Sequence, residues 1–145
     1  MNSSAKWHPQ EMPTLLISRY AKVLSKLMDE QLRPLGITAS QLPVLVALKN
    51  GGGLTQKELA EIACVEQPSM AQLLSRMERD GLVRREPSPT DGRSSLIMLT
   101  DHALEKLEPG RAMLREIDDK ACSIFSQDER QALANLLRRL VPDVG

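Results

Sequence analysis

Apolar residues recur at three- and four-residue steps from Pro13 onward, at Leu16, Tyr20, Val23, Leu24, Leu27 and Met28, and predict an amphipathic helix. Pro34-Leu35-Gly36 predicts its end, because proline cannot continue a helix and glycine suits the exit. Thr38-Ala39-Ser40-Gln41 has capping-box spacing and opens a second helix to about Leu48, with Pro43 near its start. Asn50-Gly51-Gly52-Gly53 is the clearest loop. Thr55-Gln56-Lys57-Glu58 repeats the capping-box spacing and predicts a short helix to Ala63. After Cys64-Val65-Glu66, Pro68 stands where a helix begins, since a first-turn proline forfeits no hydrogen bond. That helix runs to Asp80, where Gly81 and the apolar Leu82 suit a Schellman cap.

Val83–Pro87 and Ser95–Leu99 predict the arms of a hairpin, with Asp91-Gly92 as its turn signal. Thr100 caps a long helix carrying Ala103, Leu104, Leu107, Met113, Leu114 and Ile117, which Pro109-Gly110 either kinks or delays. Ser126-Gln127-Asp128-Glu129 opens a last helix with a stripe of Leu133, Leu136, Leu137 and Leu140. Met1–Met12 reads as a loose tail. The expected fold is mainly α with a small β-hairpin. A winged helix-turn-helix domain at about 38–100 lies between dimerisation helices at about 13–35 and 101–141, all within one domain spanning 1–145. The leucine stripe near the C-terminus needs a partner surface, and Leu15, Leu16 and Tyr20 are natural complements.

Composition narrows the function classes. Hydrophobic residues make up 41% and charged residues 26%, as in ordinary globular proteins. Aromatic content is only 2%, so Leu, Met, Ile and Val must supply the core. No apolar run approaches the ~20 residues of a membrane helix, and no partner membrane is expected. The N-terminus lacks the apolar segment of a signal peptide. Cys64 and Cys122 lack C-x-x-C spacing, which suits a reducing cytoplasm. His8 and His102 are isolated, so neither a metal site nor a cofactor is expected. The chain offers no nucleophile–base pair and no phosphate-cradling glycine loop, and an enzyme is not expected.

Charge sets a harder condition. The chain has net charge +0, and Thr55–Ser95 holds six cationic side chains against seven carboxylates. A broad positive field of the kind common in DNA-binding domains is absent. Any DNA contact therefore requires arginines on one face and carboxylates turned elsewhere.

Projected as a helix, Pro68–Asp80 places Met70, Leu73, Leu74 and Met77 on a buried stripe and Ser69, Gln72, Arg76 and Arg79 on another face. Glutamine can pair bidentately with adenine, arginine with guanine or a phosphate, and serine with base edges or backbone. Pro68 offers an apolar contact to a thymine methyl. Taken alone, this face reads first as an ordinary solvated surface. Leu59, Ala60, Ala63, Val65, Met70 and Leu73 add the spacing of a helix-turn-helix.

Here the chain resembles the MarR/SlyA family of winged-helix transcriptional regulators. The resemblance rests on Glu66-Gln67-Pro68-Ser69, on Arg76 through Val83, on Asp91-Gly92-Arg93, and on Leu99-Thr100. Leu35-Gly36-Ile37-Thr38 with Gln41 adds the family's entry into its second helix, so the likeness spans about Pro13 to Leu140. It implies a homodimer that binds double-stranded DNA at a pseudo-palindromic operator and is released by a signal. By position, Pro68, Ser69 and Gln72 face bases, with Gln67 and Arg76 beside them. Arg93 enters the minor groove and Asp91 orients it, while Thr55 and Gln56 hold phosphates through backbone N–H groups.

Family resemblance also implies a small aromatic or phenolic effector. Arg19 and Tyr20 are its candidate residues, for a carboxylate and a ring respectively. The competing assignment puts Tyr20 in the core and Arg19 in solvent or an interface. Cys64 stands where the family commonly has glycine or another small residue, and is expected to be a buried structural thiol, with a redox switch as the alternative. The alternative function is a winged-helix protein-interaction module without specific DNA binding, which the neutral charge favours.

Overall fold

A computed structural model describes residues 6–141. The first five residues of the expected tail lie outside these, while Pro9–Glu11 forms a 3-10 turn and the Trp7 indole N–H donates to Met12 Sδ at 3.4 Å. Helix α1 (Pro13–Leu32) starts on its proline and closes through a 3-10 turn at Arg33–Leu35. Gly36 then takes φ 72, the left-handed exit that a side chain would resist.

Thr38 and Gln41 form the expected capping box, but the turn it opens is 3-10, at Ala39–Gln41, and α2 follows at Leu42–Ala47. Pro43 explains the difference. A regular helix would need its N–H on the Ala39 carbonyl; proline has none, and the Leu42 N–H takes that acceptor one residue earlier.

Helix α3 (Gln56–Ala63) has the predicted Thr55/Glu58 box, with the Glu58 N–H donating to Thr55 Oγ1 at 3.2 Å. Helix α4 (Gln67–Arg79) lies within a residue of its predicted limits. Its end is a full Schellman motif: the Leu82 N–H donates to the Met77 carbonyl at 2.8 Å and the Gly81 N–H to that of Glu78 at 3.1 Å. Strands β1 (Val83–Pro87) and β2 (Ser95–Leu99) pair antiparallel, with Val83 opposite Leu99 and Pro87 opposite Ser95. Leu54 adds a further bridge that periodicity does not reveal, exchanging both backbone hydrogen bonds with Ile97. Gly53 lies close against β2, where an added Cβ would sit 3.0 Å from the Leu96 Cβ and force it to give by a few tenths of an ångström.

Helix α5 (Asp101–Ala121) begins at once, with Thr100 Oγ1 accepting from the Ala103 N–H at 3.2 Å, so Pro109 does not delay its start. The helix passes through Pro109 because its buried stripe, Ala103, Gly110 and Ile117, lies on both sides of it. Helix α6 (Gln127–Leu140) opens on the Ser126/Glu129 box. Arg130 ties it back to α5 by ion pairs to Asp118 and to Asp119, the latter at 3.0 Å.

The core lies under the winged segment, where Leu32, Val44, Leu48, Leu59, Met70 and Leu74 are fully buried with Met77, Leu82 and Ile97. The ends are different. Among the described residues α6 buries no side chain, and Leu136 and Leu140 are 58% and 64% exposed. On α1, Leu15, Leu16, Ile17 and Val23 are exposed, and so is Tyr20 at 47%, which corrects its assignment to the core. Two apolar helix faces are thus without cover in the single chain, as expected of surfaces that meet a partner.

Cys64 also departs from expectation. It is exposed, caps α3 at φ 56 and ψ 41, and is the only non-glycine with positive φ among the described residues. A sharp chain reversal between two helices demands this conformation, which accounts for a glycine preference in backbone terms rather than packing terms. Cys64→Gly is therefore expected to leave stability unchanged or raise it by up to about 1 kcal/mol in urea unfolding. A buried thiol would instead lose stability on truncation.

Candidate nucleic-acid interface

Helix α4 places the candidate contact residues on the face opposite its core stripe. Met70, Leu74 and Met77 are buried, Leu73 is half-buried, and Gln67, Pro68, Ser69, Gln72 and Arg76 are all exposed. Ser69, Gln72 and Arg76 come together along one shallow groove of about 430 Å³, whose other wall is Ser40 and Pro43 at the start of α2. Gln67 and Pro68 lie outside it, on the first turn. Glu66 caps the helix without a side-chain hydrogen bond, leaving an exposed carboxylate at its entrance.

Pairing removes three arginines and three carboxylates from the balance of Thr55–Ser95, leaving Lys57, Arg76 and Arg93 against Glu58, Glu61, Glu66 and Asp91. Arg79 contacts Asp80 at 3.4 Å, Arg85 contacts Glu78 at 3.6 Å, and Arg84 pairs with Glu86. Exposed pairs of this kind contribute little to stability, but each cancels a positive charge locally. Among the described residues, Arg76 and Arg93 have no ion pair. One stands on the recognition face and the other at the hairpin tip.

The tip is organised by Asp91. Its Oδ1 accepts from the Arg93 backbone N–H at 3.0 Å and its Oδ2 from the Ser94 hydroxyl at 3.0 Å. Ser88 Oγ accepts from the Thr90 and Asp91 N–H groups across the same loop. Asp91 thus orients Arg93 through the backbone and leaves its guanidinium unengaged. The hydrogen bond from the Arg93 N–H, then that from Ser94, hold the Asp91 carboxyl below its ordinary value of 3.8. A lowered folded value means its support of the tip is present above that range and fades as pH falls through the folded value. Asp91→Ala is expected to weaken duplex binding several-fold while leaving its salt dependence unchanged, since the carboxylate touches no phosphate. A shallower salt slope in anisotropy titrations would contradict that role.

At the start of α3, both the Thr55 N–H and its hydroxyl are directed to Glu58 Oε1, at 3.3 and 2.9 Å. The first-turn N–H groups of Gln56 and Lys57 remain available to an acceptor, which brings Lys57 into the candidate set.

Arg19 and Tyr20 are exposed on α1 and line neither the α4 groove nor a second cavity. The larger, of about 520 Å³, opens between α2 and α5. Ile37, Leu42, Leu45, Leu107 and Leu114 form its apolar wall. Lys49, Lys106 and Arg111 are its cations and Glu108 its one carboxylate. No linear pattern marks these residues, because their meeting depends on how α5 crosses α2. Lys106 Nζ also donates to the carbonyl of Leu35, tying α5 to the end of α1. No group of three or more His, Cys, Asp or Glu residues suited to a metal occurs among the described residues. No helix there is long and apolar enough to cross a membrane.

Comparison with known proteins bears on the whole assembly. The sequence pattern of the MarR family matches residues 35–94. An uncharacterised HTH-type transcriptional regulator of Bacillus subtilis, YwoH, is 31% identical over 122 residues, covering 84% of this chain and 88% of its own. A cysteine-to-serine mutant of Escherichia coli MarR complexed with operator DNA superposes with TM-score 0.79 at 28% identity, covering 88% of this chain and 91% of its own. The transcriptional repressor CouR bound to a 23-mer DNA duplex gives TM-score 0.82 at 26% identity, over 90% and 93% of the two chains. Together with a hairpin that follows a helix-turn-helix in the expected order, these likenesses decide the family: the chain belongs to the MarR family of transcriptional regulators.

Proposed function

We propose that this regulator acts as a homodimer on a pseudo-palindromic operator and is released by a small-molecule or other signal. The observation that carries the reading is the distribution of charge: Arg76 and Arg93 remain unpaired while the neighbouring arginines are held by carboxylates. In this reading Pro68, Ser69 and Gln72 address base edges, with Gln67 and Arg76 beside them. Arg93 reaches the minor groove and the first-turn amides of Gln56 and Lys57 hold phosphates, the Thr55 N–H being held by Glu58. The relatives solved on DNA support the class of partner.

The chain works as one domain, its winged helix at 38–100 carried between dimerisation helices, in the cytoplasm and by binding rather than catalysis. Arg19 and Tyr20, exposed on α1, sit on the face expected to meet the partner. Neutral net charge favours a protein-interaction module instead, but that reading gives no role to arginines kept free of their neighbours.

Selection of bound duplexes from a random DNA pool tests the proposal. The expected product is a two-fold symmetric site whose half-site centres lie about one helical turn apart, roughly 34–36 Å. Recovery of no enriched sequence, or of a single unsymmetrical half-site, would refute the dimeric reading.

A further inference from the structure

We propose that Thr100 is a positioning residue for operator recognition, whose hydroxyl joins the end of α4 to the start of α5 and thereby sets the half-site spacing the dimer accepts. The inference rests on the reading above that the chain binds a two-fold operator as a dimer.

Gly81, at the exit of α4, and Thr100, at the entrance of α5, lie 19 residues apart in sequence with the hairpin between them. In space they meet at the root of the wing. Val83 pairs with Leu99 there, and the Thr100 N–H donates to the Leu82 carbonyl at 3.1 Å. The Thr100 hydroxyl then serves both helices at once. It donates to the Gly81 carbonyl at 2.5 Å and accepts from the Ala103 N–H at 3.2 Å. One oxygen atom thus connects a helix C-terminus, where carbonyls lack partners, to a helix N-terminus, where amides do.

Three features make this joint stiff. The Schellman turn holds Gly81 at φ 74 and uses the carbonyls of Met77 and Glu78, which leaves the Gly81 carbonyl for Thr100. The neighbouring Leu82, Val83, Leu99 and Ala103 are buried, so water competes poorly for the two bonds. The branched Cβ of threonine restricts its rotamers, so the one that satisfies both partners holds the two backbones in register.

The consequence for recognition is that of a lever. Helix α5 has 21 residues, so it is about 30 Å long, and a turn of about 10° at its start carries its far end about 5 Å. With α5 among the helices that meet the partner, that displacement reaches the recognition helices of both protomers. One base pair advances the duplex by only about 3.4 Å, so a loose joint blurs the choice of spacing.

Two variants of the full chain remove the donor in different ways. Thr100→Asp still caps α5 but has no proton for the Gly81 carbonyl, and Thr100→Val keeps the shape of threonine without its hydroxyl. Thr100→Ser keeps both bonds. A palindrome selected by the parent is titrated as selected and with one base pair added or removed between its half-sites. The parent should prefer its own spacing by about tenfold or more, Thr100→Ser should stay within about twofold of that preference, and the other two should prefer it by about twofold or less. A residue that only caps α5 would leave Thr100→Asp with the parent's preference.

A second measurement needs no DNA. Spin labels on the native thiols, Cys64 before α4 and Cys122 at the end of α5, report how the winged segment sits on α5, in dimers diluted with unlabelled protein. Thr100→Asp and Thr100→Val should displace that distance by about 3 Å or more, and Thr100→Ser by less than half as much. A Thr100→Asp or Thr100→Val protein that folds and keeps the parent's spacing preference overturns the role in recognition, as does a parent indifferent to spacing. An unchanged distance in both, or Thr100→Ser behaving like them, overturns the joint. If the parent selects no two-fold operator, the functional reading fails on its own, and the label distance still decides whether Thr100 holds the two helices.

Discussion

Replacing Arg93 with alanine is expected to weaken operator binding roughly 30-fold or more and to flatten its salt dependence. The magnitude follows from symmetry. An arginine contact is worth about 1–3 kcal/mol, and a dimer loses two such contacts at well-separated sites, so the lower bound is near 2 kcal/mol. Removing two charges from the DNA surface should also reduce the slope of log K against log salt by about 2. Because Arg93 is exposed and has no ion pair within its own chain, the variant should unfold at the parent's urea midpoint. Equal affinity of parent and variant for an A·T-rich palindrome would remove the wing from the interface. The contrast with Asp91 is diagnostic, since one residue supplies charge to DNA and the other supplies only the shape of the loop.

A larger loss is expected when the C-terminal helix is made unable to meet a partner. Leu136→Glu with Leu140→Glu places carboxylates on a face that is open in the single chain, so its own core is untouched. Sedimentation should then report a monomer at micromolar concentration. Operator affinity should fall by about 10²–10⁴, the advantage of binding two linked half-sites at once. Retained helical circular dichroism would show that the loss comes from association rather than unfolding. A variant that still sediments as a dimer would place the interface elsewhere.

Much of the fold was legible because local chemistry and tertiary demand agree. Thr55 with Glu58 and Ser126 with Glu129 close their boxes as their spacing implied, and Asp80-Gly81-Leu82 makes the expected cap. Both hairpin arms have their predicted limits. These features depend on neighbours within a few residues, which periodicity and turn chemistry can report. Pro43 and Pro109 show the boundary of that reasoning. Both lack an N–H, but the first lies one turn past its cap and converts that turn to 3-10, whereas the second is carried through by packing on either side. Cys64 was misjudged because residue size suggested packing, while its constraint is a left-handed backbone.

By itself, the sequence determined where α3, α4 and α6 begin, which face of α4 turns inward, and that Arg93 stands at a hairpin tip. Each of these is a short-range property of the chain. Only the tertiary structure decided which arginines remain unpaired, because Glu78 meets Arg85 across the end of a helix and the start of a strand. It alone brought Leu54 to Ile97, and Lys49, Lys106 and Arg111 around one cavity. It also showed that Tyr20 lies open on α1 rather than in the core. The physical reason is the same throughout: charge pairing, cavities and uncovered faces arise from how elements cross, and residues far apart in the chain carry no periodic record of their meeting.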